Sequence, residues 1–230
     1  MTAAVLWDMD GTLVDTEPAW FAAEYALAAR AGGHWDDDLA RSLIGRDLLT
    51  SAGILREHLG LAEPAEEIVE ELLDHVVASV AEAAPWRPGA EALLRGLRTA
   101  GTPVALVTMS YRRLVDRVLE ALDVEFDAIV TGDVVEHGKP HPEPYLRAAA
   151  ALGVDPADCL AIEDSETGSR SAEAAGCVVL SVPAHAPVRP GERRVLRTTL
   201  TGLDPAALRS LHGQVRRAAR DATPSGSTAS

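Results

Sequence analysis

Two acids stand two residues apart just after an apolar run: Ala3-Ala4-Val5-Leu6-Trp7 is followed by Asp8 and Asp10. In extended chain, side chains two apart point to the same face. These carboxylates would therefore repel, and folding gains nothing from bringing them together unless a cation or a reaction uses them. Gly11 follows and allows a sharp turn. The spelling D-x-D-G also begins an EF-hand loop, but that loop needs glycine at its sixth position and glutamate at its twelfth. Here the glycine is fourth and Ala19 is twelfth, so that reading fails.

The later apolar runs end in chemistry as well. Thr108, Met109 and Ser110 follow residues 104–107. Thr131-Gly132-Asp133 follows residues 128–130 and leads to Lys139. Glu163 and Asp164 follow residues 159–162. In open parallel sheets, ligands bind outside the carboxyl ends of the strands. The four strand ends thus offer four acids, a hydroxyl pair and a lysine to one place. Carboxylates converging in this way call for a hard divalent cation, and Mg²⁺ takes few carboxylates together with waters and phosphate oxygens. Lys139 sits in HGKPHPEPY, whose prolines keep its middle from being helical. Held there, it can pair with a nucleophilic carboxylate and with a phosphoryl oxygen. His137 and His141 flank it as surface or supporting residues. Their spacing does not suit zinc, and the cysteines add no partner motif.

Five apolar runs read as the strands that position these groups: residues 3–7, 104–107, 128–130, 159–162 and 178–182. They are continuous rather than alternating, as in a parallel sheet covered on both faces. Helical patterns separate them at 90–100, 112–122, 144–152 and 167–175, three of these followed by Gly101, Gly153 and Gly176. Repeated strand–helix–strand units predict an α/β fold, a doubly wound, Rossmann-like parallel sheet. Residues 17–84 hold no good strand and read as an insert of about four helices, marked by Ala-rich 18–30 and the periodic run 64–84. The expected organisation is a core of residues 1–16 and 85–220, a helical cap of 17–84 and a disordered polar tail of 221–230. Residues 193–200 read as a last edge strand and 205–219 as a helix.

The 230 residues are 47% hydrophobic, enough for a substantial core. No apolar run is long enough to span a membrane, and no basic stretch followed by an apolar one suggests a secretory signal. Cys159 and Cys177 read as buried free thiols in a reducing compartment, which predicts a cytoplasmic protein. The formal net charge is −14, from 35 acids against 21 Lys and Arg. That field disfavours nucleic acid and would also repel a phosphorylated substrate at long range, so a phosphate site needs local cations.

Four ordered stretches, WDMDGTLVDTEP, VALVT, GKPHPEPY and AIEDSETG, closely resemble the motifs of the haloacid dehalogenase superfamily of phosphohydrolases. The resemblance covers nearly all of residues 3–182, and the insert is similar to the family's C1 cap. The group it resembles is the β-phosphoglucomutase-like phosphatases. The resemblance implies a nucleophile at Asp8 that forms an aspartyl-phosphate, and a general acid and base at Asp10. It implies a phosphoryl contact at Thr108 and a neutralising cation at Lys139. Mg²⁺ would be held by Asp8, Asp164 and the Asp10 carbonyl, with Glu163 supporting the metal or its waters. Amides around Met9, Asp10, Met109 and Ser110 would cradle phosphoryl oxygens. SLIGRDLLTSAGIL resembles the family's cap substrate loop, with Gly45 at its turn and Arg46 reaching inward or, alternatively, paired on the surface with Asp47 or Asp38. Hinges are expected near residues 16–18 and 85–88.

Rival activities part from this pattern at single positions. Dehalogenases of the superfamily lack the second acid of the pair, so Asp10 argues against carbon–halogen chemistry. β-Phosphoglucomutases carry histidine ten residues beyond the general acid, where this chain has Trp20. That disfavours a sugar phosphomutase and leaves Trp20 as a hinge or substrate-side anchor. A non-catalytic phosphate- or Mg²⁺-binding module is a third reading, which the complete set of catalytic positions disfavours. The expectation is a Mg²⁺-dependent hydrolase of a small phosphomonoester, sugar, polyol or nucleotide, with no nucleic-acid or membrane partner, that works as a monomer or a dimer.

Overall fold

The computed structural model describes residues 2–82 and 84–221. Six strands form one parallel sheet: β1 (Ala4–Trp7), β2 (Val104–Val107), β3 (Ala128–Val130), β4 (Cys159–Glu163), β5 (Val178–Ser181) and β6 (Arg194–Leu196). Their spatial order is β3-β2-β1-β4-β5-β6. The chain therefore winds outward from β1 through β2 to β3, then returns to the other side of β1 for β4. That return makes the switch point where doubly wound sheets open a crevice. Register sets the level of the crevice: Trp7 lies beside Leu106 on one side and Ile162 on the other. The residues just beyond, Asp8, Thr108 and Glu163, thus emerge at nearly the same height.

The four central strands, β2, β1, β4 and β5, are buried on both faces, which explains their continuous apolar runs. On one face Val5, Trp7, Leu106 and Ile162 pack against α5 (Ala90–Thr99), α6 (Arg112–Leu122) and α9 (Pro205–Asp221). On the other, small residues such as Ala4, Ala105 and Ala161 admit α7 (Glu143–Ala151) and α8 (Glu166–Ala174). The edge strand is shorter than its sequence pattern, ending at Leu196. Helix α9 runs through Asp221, so residue 221 belongs to a helix rather than to the tail. The expected disorder of 222–230 falls outside the described residues.

The insert holds four helices: α1 (Glu17–Ala31), α2 (Asp37–Leu43), α3 (Leu48–Leu59) and α4 (Ala65–Glu82). Asp36 caps α2 by accepting from Asp38 and Leu39 amides, and Asp47 caps α3 through the Thr50 amide. Helix α4 packs on α1, α3 and the core helix α6. The two crossings between insert and core run side by side. Val14 and Trp86 form an antiparallel bridge, flanked by Asp15 N to Pro85 O at 2.9 Å and Arg87 N to Leu13 O at 3.0 Å. Asp15 is also ion-paired with Arg87 at 3.3 Å and hydrogen-bonded to His185 Nε2 at 3.0 Å. The cap is thereby tied to the core at its base, next to the reacting carboxylates.

Candidate active site

The strand ends deliver their groups as the topology requires. Lys139 Nζ donates to Asp8 Oδ1 at 2.7 Å, Glu163 Oε1 at 2.6 Å and the Val107 carbonyl at 2.9 Å. Lys139, Asp8 and Glu163 are all buried. Tyr145, from α7, also donates to Glu163 Oε1, and Ser165 Oγ reaches Oε2 at 3.3 Å. Oε1 is thus filled by two donors and anchors Lys139, while Oε2, with one long contact, keeps acceptor capacity on the side of Asp8 and Asp164. The packing of this side chain explains Gly168: a Cβ there would lie 2.0 Å from Glu163 Oε1.

Asp8 Oδ2 is buried and has no hydrogen-bond partner among the described residues. Ligand atoms of Asp8, Glu163 and Asp164 lie within 4.8 Å of one another. Asp164 makes no side-chain hydrogen bond among the described residues. Burial first, and then the neighbouring Glu163, push Asp8 up to about 7. Burial followed by Asp8 and Glu163 pushes Asp164 well above the carboxylate range. An orphaned carboxylate oxygen among acids that resist ionisation is the donor set a hard divalent cation fits. Gly11, at φ 81°, closes the other side; a Cβ on it would fall 2.3 Å from Asp164 Oδ2.

Asp10 faces a different set of groups. Its Oδ1 accepts from Thr16 Oγ1 at 2.5 Å and Trp20 Nε1 at 3.3 Å. Its Oδ2 accepts from Ser110 Oγ at 2.8 Å and Thr108 Oγ1 at 3.1 Å. Thr16 stands at the N-cap of α1 but makes no capping bond with its side chain; its hydroxyl serves Asp10 instead. Thr108 points at Asp10 and accepts from the Ser110 amide at 3.0 Å, so one of the four expected cradle amides is already used. Those of Met9, Asp10 and Met109 donate to nothing among the described residues. The Met9 side chain is buried in the core, while Met109 lines the crevice, its sulfur accepting from the Lys139 amide at 3.2 Å.

Cap residues complete a cavity of about 80 Å³. Gly45 lies at φ 74° against the core, where a Cβ would meet Ser165 Oγ at 3.1 Å. Arg46 lines the cavity but is exposed, and its Nε donates to the Ser42 carbonyl at 2.8 Å. It pairs with neither Asp47 nor Asp38. The stretch expected to be one long substrate loop is mostly helix, since α2 ends at Leu43 and α3 begins at Leu48.

Two acidic cavity residues escaped the sequence reading. Glu17 and Glu24 are both buried and line the same space. Trp35 Nε1 donates to Glu24 Oε2 at 3.0 Å. Burial, then Asp10, pushes Glu17 up to about 8, and burial pushes Glu24 up to about 7. Glu17, Trp20 and Glu24 stand at i, i+3 and i+7, one helix face, but acids spaced that way read equally as a solvated face. Elsewhere, His137, His141 and Glu143 gather at the surface within metal-ligand distance. There both Glu143 oxygens already accept, from the amides of Glu136 and His137.

With this geometry in view, comparison with known proteins settles the lineage. The family model of haloacid dehalogenase-like hydrolases matches residues 2–176. The chain belongs to that family. Hexitol phosphatase B of Escherichia coli (strain K12) is 32% identical over 189 residues, 79% of this chain and 83% of that one. A phosphoglycolate phosphatase of Shigella boydii is 35% identical over 196 residues, 75% of this chain and 78% of its own. Among solved structures, CbbY from Rhodobacter sphaeroides with xylulose-1,5-bisphosphate superposes with a TM-score of 0.82 at 28% identity, covering 90% of this chain and 99% of that one. The α/β core with its parallel sheet is thus the hydrolase fold that the motifs implied. Cys159 and Cys177 are free and buried. No helix among the described residues is long and apolar enough to cross a membrane.

Proposed function

We propose that this hydrolase is a Mg²⁺-dependent phosphomonoesterase that acts through a phosphoryl group carried on Asp8. One observation carries the reading: Asp8 is held by Lys139 through one oxygen while its other oxygen is buried without a partner. A carboxylate in that state is fixed and underused, which suits a nucleophile. In the first step Asp8 attacks phosphorus, the bond to the ester oxygen breaks, and Asp10 gives that oxygen its proton. In the second, Asp10 takes a proton from water as the water attacks phosphorus, and Asp8 is released with inorganic phosphate.

Asp8, Asp164 and the Asp10 carbonyl would hold Mg²⁺, which when bound would supply positive charge against the phosphoryl oxygens and relieve repulsion among the acids. Lys139 adds its own charge, kept in place by Glu163 and Tyr145. The free amides of Met9, Asp10 and Met109 cradle phosphoryl oxygens, and the hydroxyls of Thr108 and Ser110 exchange Asp10 for a phosphoryl oxygen when substrate enters. Residues 17–84 act as a cap over the core of 1–16 and 85–220, with Gly45, Arg46 and Trp20 on its inner side. Closure excludes water around the ester. The substrate is a small phosphorylated metabolite, sugar, polyol or nucleotide, as the phosphatases among the relatives suggest. One chain supplies the whole cavity, which supports a working monomer, and the two free thiols support a cytoplasmic setting.

The test is phosphate release from a panel of small phosphomonoesters, with Mg²⁺ and with EDTA. Release is expected only with Mg²⁺, and Asp8→Asn should lower kcat by about 10³-fold or more. Full activity in Asp8→Asn would overturn the mechanism.

A further inference from the structure

The acids of the cavity form a row that runs away from the reacting centre. Glu17 has Asp10, Glu24, Asp15 and Asp8 as charged neighbours, whereas neither Asp8 nor Asp10 is near enough to act on Glu24. Glu24 lies seven residues, about two turns, further along α1, so roughly 10 Å separates the two along the helix axis. Glu17 is therefore the near acid and Glu24 the far one. Each is more than nine-tenths buried, at 7% and 5% exposure. Among the described residues neither has an ion-pair partner. The single hydrogen bond to Glu24 comes from Trp35, itself 5% exposed and packed edge-on against His58 at 5.4 Å. That contact fixes the carboxylate in one place.

We propose that Glu24, oriented by Trp35, determines specificity at the far wall: it admits phosphomonoesters whose distal end carries hydrogen-bond donors and no negative charge. Esters with a second phosphate or a carboxylate at that end are excluded. This rests on the phosphomonoesterase reading above. A buried carboxylate with free acceptor capacity is satisfied by hydroxyl or amino hydrogens and repels an anion, so it discriminates by attraction and by repulsion. The cations lining the cavity do not offset it. Lys139 is spent on Asp8 and Glu163, and Arg46 is exposed, where solvent screens its charge.

The experiment compares kcat/KM for sorbitol 6-phosphate, fructose 1,6-bisphosphate and phosphoglycolate at about pH 8, where Glu24 is mostly ionised. p-Nitrophenyl phosphate serves as a generic ester. In the unmodified enzyme the neutral-ended ester should be favoured over both anionic ones by on the order of 100-fold. Glu24→Gln should narrow that ratio about tenfold, chiefly by raising KM for the polyol ester and lowering it for the anionic ones. Trp35→Phe, which frees Glu24 while keeping an aromatic ring, should narrow it less. Equal use of neutral-ended and anionic esters by the unmodified enzyme would overturn the inference, even if Glu24→Gln failed to fold. An unchanged ratio in a folded Glu24→Gln would do the same. Hydrolysis of p-nitrophenyl phosphate without the expected ratio would sink this inference alone. No release from any ester would sink the phosphomonoesterase reading and this inference with it.

Discussion

Asp8, Glu17 and Glu24 have ordinary values of 3.8, 4.5 and 4.5 and are pushed up to about 7, 8 and 7 in the fold, in each case chiefly by burial. Asp164 moves the same way. Each holds its proton more tightly folded than unfolded. Linkage then fixes the sign: these acids support the fold fully below their unfolded values, and that support is lost as pH rises through about 7 to 8. A divalent cation beside Asp8 and Asp164 favours their charged forms and opposes the loss. In EDTA, the melting temperature is expected to fall between about pH 5 and pH 8. With saturating Mg²⁺ the fall should be smaller, so the Mg²⁺-induced rise grows with pH. Thermal melts at several pH values, with and without the cation, check both parts. A Mg²⁺ shift that is the same at pH 5 and pH 8 would mean the cation does not bind at these acids.

One glycine shows how the elements themselves hold the site. A Cβ on Gly168 would sit 2.0 Å from Glu163, in the first turns of α8. Gly168→Ala should push Glu163 away and release Lys139 from its second carboxylate. The expected outcome is a cost of about 1–3 kcal/mol in stability with kcat down by roughly 10- to 100-fold. Urea unfolding together with phosphate release measures it, and a fully active, fully stable Gly168→Ala would mean that Glu163 has slack. This constraint also shows what the sequence displayed and what it hid. Strand positions were legible to about a residue because parallel strands buried on both faces are continuous apolar runs. The exception is the edge strand, expected over 193–200 and formed only over Arg194–Leu196, where burial is partial; β4 runs one residue past its apolar pattern, into Glu163, paired with Ser181. A charged residue inside a strand has no apolar signature; its partners Lys139 and Tyr145 come from elsewhere in the chain. The four strand-end groups were legible because topology alone gathers them. Glu17 and Glu24 were not, because buried acids on an Ala-rich helix look like solvated ones until the cap is folded over them. The linker at 44–47 was overextended for a related reason: Asp36 and Asp47 act as helix caps, and their capping bonds turn flanking polar chain into α2 and α3.

Over the whole molecule, a net charge of −14 surrounds a site that must accept an anion. The cap and core are joined by ion pairs from Arg113 on α6 to Glu70 at 3.2 Å and to Asp74 on α4. That cation is thus committed to structure rather than to steering. Inside the cavity Lys139 is likewise paired. A phosphate ester therefore meets repulsion at long range and attraction only on arrival. Screening separates the two, because the Debye length shrinks from about 30 Å at 0.01 M salt to about 8 Å at 0.15 M. Approach is screened over that range, while the buried contacts of the bound ester are not. With Mg²⁺ saturating throughout, kcat/KM is expected to rise about two- to fivefold as KCl is raised from ~0.01 to ~0.15 M. The kcat value should stay constant, since it reports chemistry after closure. Enzymes that draw anions in by a positive field show the opposite slope. A fall in kcat/KM would therefore place an unpaired positive field at the mouth, with Arg46 as the group to remove next.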